Sequence, residues 1–440
     1  MNFTDTQNKA YESFLNGENI FITGPGGCGK SYFIKKIYDI ALKEGKNIKV
    51  TSLTGCSAIL LNCKATTIHK WGYLGLGKSD ELTMYRKIVK KNMTSSYLET
   101  EILVIDEISM LNQYLFEMLD WLCKKIRKCD DPFGGIQLIA SGDFYQLPPV
   151  GDNDNTSQSN FCFQSSLWEQ TFNCNHHFVF DVNFRQNDDP EYFEILQEIR
   201  EGRPSFDTIG TLVSCMNKKY DHTKSIPTQI YPIKKMVEKI NKIELDKLLK
   251  TTESQEYKSF INYDNNPITI NNISCNELKG EIDNNMKNGM FENKLVLCVG
   301  CQVMCISNIN QEIGLVNGSQ GIVKSFRLEN NKYYPLVKFD NIPYEILIKE
   351  HGWLLENNAK YTINQLPLIL SWAITIHKSQ GMSIDNAIID IGNSVFQYGQ
   401  TYVALSRVKS LNGLYLTKVN ANKIKAHPEV KKFYNKIETM

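Results

Sequence analysis

The run Gly24-Pro25-Gly26-Gly27-Cys28-Gly29-Lys30-Ser31 follows the phosphate-binding pattern G-x-x-x-x-G-K-S, and its flanks constrain the fold more than any other part of the chain. The apolar residues at 19–23 read as a buried strand, after which Tyr32, Phe33, Ile37, Ile40 and Ala41 recur at helical spacing. A strand, a glycine turn and a helix in that order bring backbone N–H groups round a polyphosphate. Lys30 would reach the β- and γ-phosphates, and the Ser31 hydroxyl would ligate Mg²⁺. The expectation is a nucleoside triphosphate site lined by Gly24, Gly26, Gly27, Cys28, Gly29, Lys30 and Ser31.

The same pattern recurs at Gly72-Tyr73-Leu74-Gly75-Leu76-Gly77-Lys78-Ser79. Residues 64–71 before it are polar and threonine-rich, so this copy reads as a flexible loop and Lys30 as the phosphate lysine. A chain of 440 residues can bury more than one core, which implies roughly two to four domains. Hydrophobic residues at 42% and charged residues at 22% describe an ordinary globular protein. A net charge of +1 neither announces nor excludes a polynucleotide partner, because a groove can be positive on a neutral protein.

No apolar run reaches the roughly 20 residues needed to cross a bilayer. The first residues, Met1-Asn2-Phe3-Thr4-Asp5, have neither the basic nor the apolar section of a secretion signal. The 12 cysteines are scattered and Cys28 lies inside the phosphate loop, which points to a reducing, intracellular compartment. Nucleus, cytoplasm and a viral replication site all stay open. Cys298, Cys301 and Cys305 form a tight cluster whose alternation reads as buried or partly buried thiols on a strand, with structural zinc the lesser alternative. The Asn-rich stretch 262–293 is interrupted by Ile268, Ile270, Ile273, Leu278 and Ile282, so it does not read as disordered.

Short apolar runs at 48–52, 101–105 and 136–140 read as strands. Met110, Leu111, Tyr114, Leu115, Met118, Leu119, Leu122 and Ile126 mark one face of a long helix between the last two. Strands separated by helices imply a mostly parallel sheet with its ligands at the carboxyl ends of the strands. The phosphate loop, Asp106 and Gly142-Asp143 all fall there. A second alternating region starts near Phe178, with strands expected at 179–182, 228–231, 368–373, 387–391 and 414–417 and a helix at 234–249. Between 295 and 348 shorter strands and turns suggest a small β-domain inserted into a second α/β domain. The expected boundaries are 1–175 for the first domain, 176–300 with 366–440 for the second, and 301–365 for the insertion.

Chemistry-bearing blocks sit at the strand ends. Asp106 would hold Mg²⁺, and Glu107 would orient and deprotonate the attacking water. Gln146, in Gly142-Asp143-Phe144-Tyr145-Gln146-Leu147-Pro148-Pro149-Val150, could sense the γ-phosphate. Arg185 and Arg407 are candidates to meet the charge that develops in the transition state. Both read as part of the second α/β region, so hydrolysis would require two halves to close on one nucleotide. Thr66-Thr67-Ile68-His69-Lys70-Trp71 and Thr375-Ile376-His377-Lys378-Ser379 offer hydroxyl, imidazole and ammonium groups suited to phosphate oxygens. Trp71 reads equally as a stacking surface or as core.

Together these blocks resemble the Pif1-like branch of superfamily 1B DNA helicases, related to the RecD proteins. Gly24 to Ser31 matches motif I, and Gly55-Cys56-Ser57-Ala58 with Thr67-Ile68-His69 resembles the Ia region. Ile105-Asp106-Glu107-Ile108-Ser109-Met110 matches motif II. Pro132-Phe133-Gly134-Gly135-Ile136-Gln137-Leu138, running into Gly142 to Val150, matches the family signature and motif III. Asn183 to Gln186 matches motif IV, Thr375 to Gly381 motif V and Tyr402 to Arg407 motif VI, while Leu315 to Gly321 resembles the inserted region.

The resemblance implies two RecA-like P-loop NTPase domains with parallel sheets, plus a small β-rich, SH3-like insertion in the second. It puts Gln7 at adenine and Tyr32 and Gly381 at the nucleotide. Lys30 and Ser31 handle phosphate and metal, Asp106 the metal, Glu107 the water and Gln146 the sensor position. Arg185 and Arg407 become arginine fingers, while Thr54, Gly55, His69, Lys70, Thr375, His377, Lys378 and Ser379 become DNA contacts. The implied cofactors are ATP and Mg²⁺. The implied activity is 5′-to-3′ translocation on single-stranded DNA that opens duplex junctions with a 5′ tail, in replication, recombination, repair or telomere maintenance, while compact size favours a monomer. RNA–DNA hybrids and G-quadruplexes are further implied substrates, and no membrane partner is expected. Cys28 departs from the pattern, where threonine or another small residue is common, and with motif I beginning at Gly24 the amino-terminal extension of many larger relatives is not expected. Two other readings stay open: a nucleic-acid-stimulated ATPase that remodels without separating strands, and a noncatalytic DNA-binding scaffold. An RNA substrate is also compatible with contacts to the backbone.

Overall fold

Side chains on a strand alternate between faces, and that period builds the first sheet. Its strands are β1 (Ile20–Thr23), β2 (Ile48–Ser52), β3 (Thr66–Thr67), β4 (Ile102–Asp106), β5 (Gln137–Ser141) and β6 (His177–Val179), in the order β3-β2-β4-β5-β1-β6. Every neighbouring pair is parallel. Ile20, Ile22, Val50, Val104 and Ile139 face one core, which the helix Lys30–Lys43 closes with Phe33, Ile34, Ile37 and Ala41. Phe21, Leu103, Ile105, Leu138 and Ala140 face the other, closed by Phe116, Leu119 and Leu122 of the helix Gln113–Arg127. Each of the buried Val, Leu, Ile and Phe side chains among these contributes roughly 1.5–3 kcal/mol.

The computed structural model describes residues 3–54, 57–58, 61, 63–74, 79–149, 160–220, 226–263, 266–268, 294–310, 312–354 and 361–439. It forms two domains: Met1–Arg203 with Gln397–Tyr402 and Ile424–Met440, and Pro204–Phe396 with Val403–Lys423. The expected boundary at 175 is therefore corrected to 203. The strand expected at 179–182 is instead β6, and it pairs with β1 beside the phosphate loop. The last helix, Pro428–Glu438, also returns to the first domain, where Val430 and Tyr434 join the core.

The family signature is framework for this sheet. Phe133 and Gly134 take left-handed backbone conformations, and the Phe133 N–H donates to Asp120 at 2.8 Å. Arg127 donates to the carbonyls of Gly134, Tyr97 and Thr100 at 2.6, 2.7 and 3.1 Å, tying the turn to the entry of β5.

The second domain holds a parallel sheet in the order Ala373–Thr375, Thr228–Tyr231, Ala387–Ile391, Leu414–Val419. Asn241, from the helix Lys234–Leu248, exchanges two 2.9 Å hydrogen bonds with the Ala373 backbone. The expected strand at 368–373 is in fact two. Leu368–Leu370 belongs to an antiparallel sheet with Gln302–Cys305, and the chain enters the parallel sheet only at Ala373. The β-rich part is also wider than 301–365. It includes Ser254–Lys258 paired with Lys294–Cys298, and Phe260–Tyr263 paired with Tyr361–Gln365. Phe260–Tyr263 joins because its partner strand lies about a hundred residues later, which local texture does not reveal. Cys298, Cys301 and Cys305 are buried there. Among the described residues no helix is long and apolar enough to cross a membrane. Most of the Asn-rich stretch, together with Gly55 and the segment Gly75 to Lys78, lies outside the described residues.

Candidate functional site

β1 is buried along its whole length and ends at Thr23, so the loop that follows emerges at the carboxyl edge of the sheet. Gly24 has φ +133°, and a Cβ there would lie 2.1 Å from the Phe180 carbonyl oxygen. A Cβ at Gly27 would lie 2.5 Å from Cβ of Arg185. The helix Lys30–Lys43 starts without a side-chain cap, which leaves its first N–H groups for an anion. Lys30 Nζ is folded over the loop, donating to Gly24 O at 2.6 Å and Pro25 O at 2.9 Å, with Cys28 Sγ at 3.5 Å. Ser31 is exposed in the first helical turn. Tyr32 is half-buried, its ring edge-on to Phe3 at 6.2 Å.

Gln7 is buried and forms a capping box with Thr4, accepting the Thr4 N–H at 3.1 Å. A Cβ built at Gly29 would meet Gln7 Nε2 at 2.9 Å and the Phe184 ring at 3.2 Å. An amide donor and a 40% exposed aromatic ring thus flank one point of the loop.

Asp106 ends β4 and is 7% exposed. Burial pushes its carboxyl above the usual carboxylate range, opposed by Ser141, the Glu107 N–H and the Lys30 charge. The buried hydroxyls of Ser52, opposite Asp106 on β2, and of Ser109 have no hydrogen-bond partner among the described residues. A buried carboxylate short of positive charge, with spare hydroxyls and Ser31 on the loop, is a donor set that fits a hydrated divalent cation. Glu107 follows with φ 55° and ψ 40°. A left-handed conformation costs roughly 1–2 kcal/mol in a residue with a Cβ, and such strain gathers at functional sites.

The block after β5 turns through Phe144, Tyr145 and Gln146, with the Gln146 N–H donating to Asp143 O at 2.9 Å. Gln146 is buried, and Asp143 is fully buried in a two-bond ion pair with Arg200 at 2.9 and 3.0 Å. Residues 183–186 dock on the loop. Phe184 N–H donates to Gly27 O at 2.9 Å, and Asn183 Oδ1 accepts from the N–H groups of Arg185 and Gln186, each at 2.8 Å. Arg185 is half-buried. Burial draws its guanidinium below its ordinary value, against the opposing influence of Tyr402, Cys28 and Glu107. The first domain therefore gathers Gln7, the loop, Asp106, Glu107, Gln146 and Arg185, and the placement of Arg185 in the second α/β region is corrected. Tyr402 also belongs here, its hydroxyl accepting the Gly26 N–H at 3.0 Å.

Arg407 lies in the second domain and is 2% exposed, donating from Nε to Val403 O at 2.9 Å and from Nη2 to Ser406 Oγ at 2.8 Å. Gly381, with φ +80°, lies in that domain too.

Each domain repeats one local design. β3 runs into the short helix Ile68–Trp71, and Ala373–Thr375 runs into the short helix Ile376–Ser379. Thr67 and Thr375 accept the N–H of Lys70 at 3.3 Å and of Lys378 at 3.1 Å, capping the two turns. Ile68 and Ile376 are buried, which turns His69-Lys70 and His377-Lys378 outward. Desolvation lowers both imidazoles, so each is a neutral donor at neutral pH. Ser379 is fully buried and its hydroxyl donates to Ile376 O at 2.7 Å, so its side chain supports the turn rather than facing a strand. The Thr54 hydroxyl is engaged with Ser57 at 2.8 Å. Trp71 is core, with Nε1 donating to Thr100 at 3.2 Å and its ring 5.0 Å from Tyr97. Phe184 and Tyr402 were legible beside Arg185 and Arg407. Arg200 and Tyr434 carry no local signal.

Comparison with known proteins points to one family. The family "PIF1-like helicase" matches residues 2–208, and "DNA helicase Pif1, 2B domain" matches residues 281–326. The ATP-dependent DNA helicase Pif1 of Psychrobacter is 32% identical over 96% of this chain and 69% of its own length. The chain belongs to the Pif1-like helicase family. The ATP-dependent DNA helicase PIF1 of Xenopus laevis is 34% identical over 98% of this chain and 64% of its own length. The chain spans less than two thirds of the frog, zebrafish and Emericella nidulans relatives. The crystal structure of Pif1 helicase from Candida albicans aligns with a TM-score of 0.78 at 31% identity, covering 99% of this chain and 100% of that one. Bacteroides Pif1 in complex with ADP-AlF3 and single-stranded DNA aligns at 0.65 with 29% identity, covering 100% and 98%. The two parallel α/β domains are thus the RecA-like pair of Pif1-like helicases.

Proposed function

We propose that this chain is an ATP-dependent DNA helicase that moves 5′ to 3′ on single-stranded DNA and opens duplexes bearing a 5′ tail. The observation that carries the reading is the repeated Thr-Ile-His-Lys turn, one on each RecA-like domain, in a chain whose first domain also builds a nucleotide site. Each set of phosphate-directed donors suits the backbone of a single strand. The Bacteroides relative, named in complex with ADP-AlF3 and single-stranded DNA, supports the same pairing of ligands.

In this reading Gln7 Nε2 and the Phe184 ring hold the base, while the loop amides and Lys30 hold the phosphates. Lys30 exchanges its two carbonyl partners for phosphate oxygens. Asp106 and Ser31 would hold Mg²⁺, which when bound neutralises charge on the β- and γ-phosphates. Glu107 takes the proton of the attacking water, Gln146 orients it, and Arg185 meets the developing charge. Arg407 is the second arginine finger by family resemblance. Thr54, His69, Lys70, His377 and Lys378 face DNA, with Thr375 and Ser379 supporting their turn. Direction, RNA–DNA hybrids, G-quadruplexes and a role in genome replication, recombination, repair or telomere maintenance rest on that same resemblance, and monomeric action on the compact size of the chain.

The test is ATP-dependent opening of one labelled duplex carrying either a 5′ or a 3′ single-stranded tail. Opening of the 5′-tailed duplex alone is expected, with loss in Lys30→Ala and Glu107→Gln. DNA-stimulated hydrolysis without opening would replace the helicase reading with a remodeller. DNA binding without hydrolysis would replace it with a scaffold.

A further inference from the structure

The last helix, Pro428–Glu438, matches no motif, yet one of its side chains reaches the nucleotide site. Tyr434 is 3% exposed and its hydroxyl meets three elements. It lies 2.5 Å from Thr23 Oγ1, on the residue that ends β1 and precedes Gly24. It accepts the Phe144 N–H at 3.1 Å, inside the turn that carries Gln146, and it lies 3.4 Å from Asp143 Oδ1. The ring stacks on Tyr145 at 4.7 Å with an interplanar angle of 11°, and the Arg200 guanidinium lies over both rings, 4.5 Å from Tyr145 and 5.2 Å from Tyr434.

The turn meets the phosphate-loop strand at its start, where the Gly142 N–H donates to Ile22 O at 3.0 Å and the Phe144 ring lies 5.5 Å from that of Phe21. Asp143 anchors it through Arg200, and the Tyr145 N–H donates to Asp143 Oδ1 at 3.2 Å. Those contacts fix the turn to the helix Pro190–Glu201. The Tyr434 hydroxyl adds a side-chain tie further along, between the Phe144 N–H and Thr23, the residue next to Gly24. A phenol suits the place because one oxygen can accept from an amide while its proton goes to a hydroxyl or carboxylate.

We propose that Tyr434 is a positioning residue for ATP hydrolysis, setting the Gln146 turn in register with the phosphate loop through its hydroxyl. The proposal rests on Gln146 acting as the sensor. Misplacing a positioned group by a fraction of an ångström slows the chemical step without removing the contacts that bind substrate. Tyr434→Phe keeps the ring, its stack on Tyr145 and its place under Arg200, and deletes only the hydroxyl.

The experiment is steady-state ATP hydrolysis by the full chain with saturating single-stranded DNA, alongside thermal melting. Tyr434→Phe should lower kcat by between about ten- and a hundredfold, with KM for ATP changed by less than about twofold. Val430→Ala, a buried cavity variant in the same helix, should lower the melting temperature and leave kcat intact. The double variant Tyr434→Phe with Gln146→Ala should be no slower than Gln146→Ala alone. A Tyr434→Phe protein that melts earlier but keeps its kcat, or that loses kcat and ATP affinity in proportion, would overturn the proposal. Additive losses in the double variant would do the same. A Gln146→Ala protein with unchanged kcat would instead remove the sensor assignment beneath it.

Discussion

A carboxylate at 7% exposure is costly unless a cation accompanies it, and Asp106 bears that cost at the end of β4. Asp106→Asn should therefore raise the melting temperature of the metal-free chain while abolishing hydrolysis and the extra stabilisation that Mg²⁺ adds to bound nucleotide. A lower melting temperature for the variant would contradict this account. His177 shows the same desolvation acting on a base. It is half-buried among Phe21, Trp168 and Phe433, neither ring nitrogen has a partner among the described residues, and desolvation, helped by His176 and Lys436, lowers its pKa to about 4. Between about pH 6.5 and that value the unfolded chain takes up a proton that the folded chain refuses. Stability should be complete above that window and fall as pH drops through it, by about 3 kcal/mol from this residue. His69, His351, His377 and His427 are lowered by burial too and add to the slope. Denaturant unfolding from pH 7 to pH 4 should show a shallower acid limb in His177→Phe. Asp106 was legible from its neighbours in sequence. Nothing local announces that His177 is starved of partners.

Elements with a strong local period were legible to within a residue or two, such as β1, β2 and the helix Lys234–Leu248. The segment 368–375 was not. Its residues are mostly apolar, with only Ser371 and Thr375 polar, and suit either sheet, so the choice between antiparallel and parallel partners lies in distant strands. The short Thr-Ile-His-Lys helices are below the length at which a helix persists alone, so their caps matter. Thr67→Ala and Thr375→Ala should each cost about 1 kcal/mol of local stability. Each should also weaken single-stranded DNA binding severalfold by fluorescence anisotropy, with ATP affinity unchanged. Equal losses of ATP and DNA affinity would show instead that the caps hold the domain as a whole.

At the scale of the molecule, the chain leaves the first domain at Arg203 and returns to it at 397–402 and 424–440. The returning helix buries Val430 and Tyr434, each contributing roughly 1.5–3 kcal/mol. A chain ending at Lys423 should lose cooperative unfolding of the first domain, or its solubility, while hydrogen exchange in the second domain stays slow. An unchanged first-domain melt would contradict that role. The nucleotide chemistry could be read directly from residues, because Gly24 to Ser31 and Asp106-Glu107 work through backbone geometry and charge encoded within a few positions of each other. The assignment of Arg185 to the first domain could not. It follows from the parallel pairing of β6 with β1, a contact across more than 150 residues. Arg200 and Tyr434 stayed hidden for the same reason. A buried arginine or tyrosine takes its role from the partners that packing brings to it, and here those partners, Asp143 and Thr23, lie on other elements of the chain.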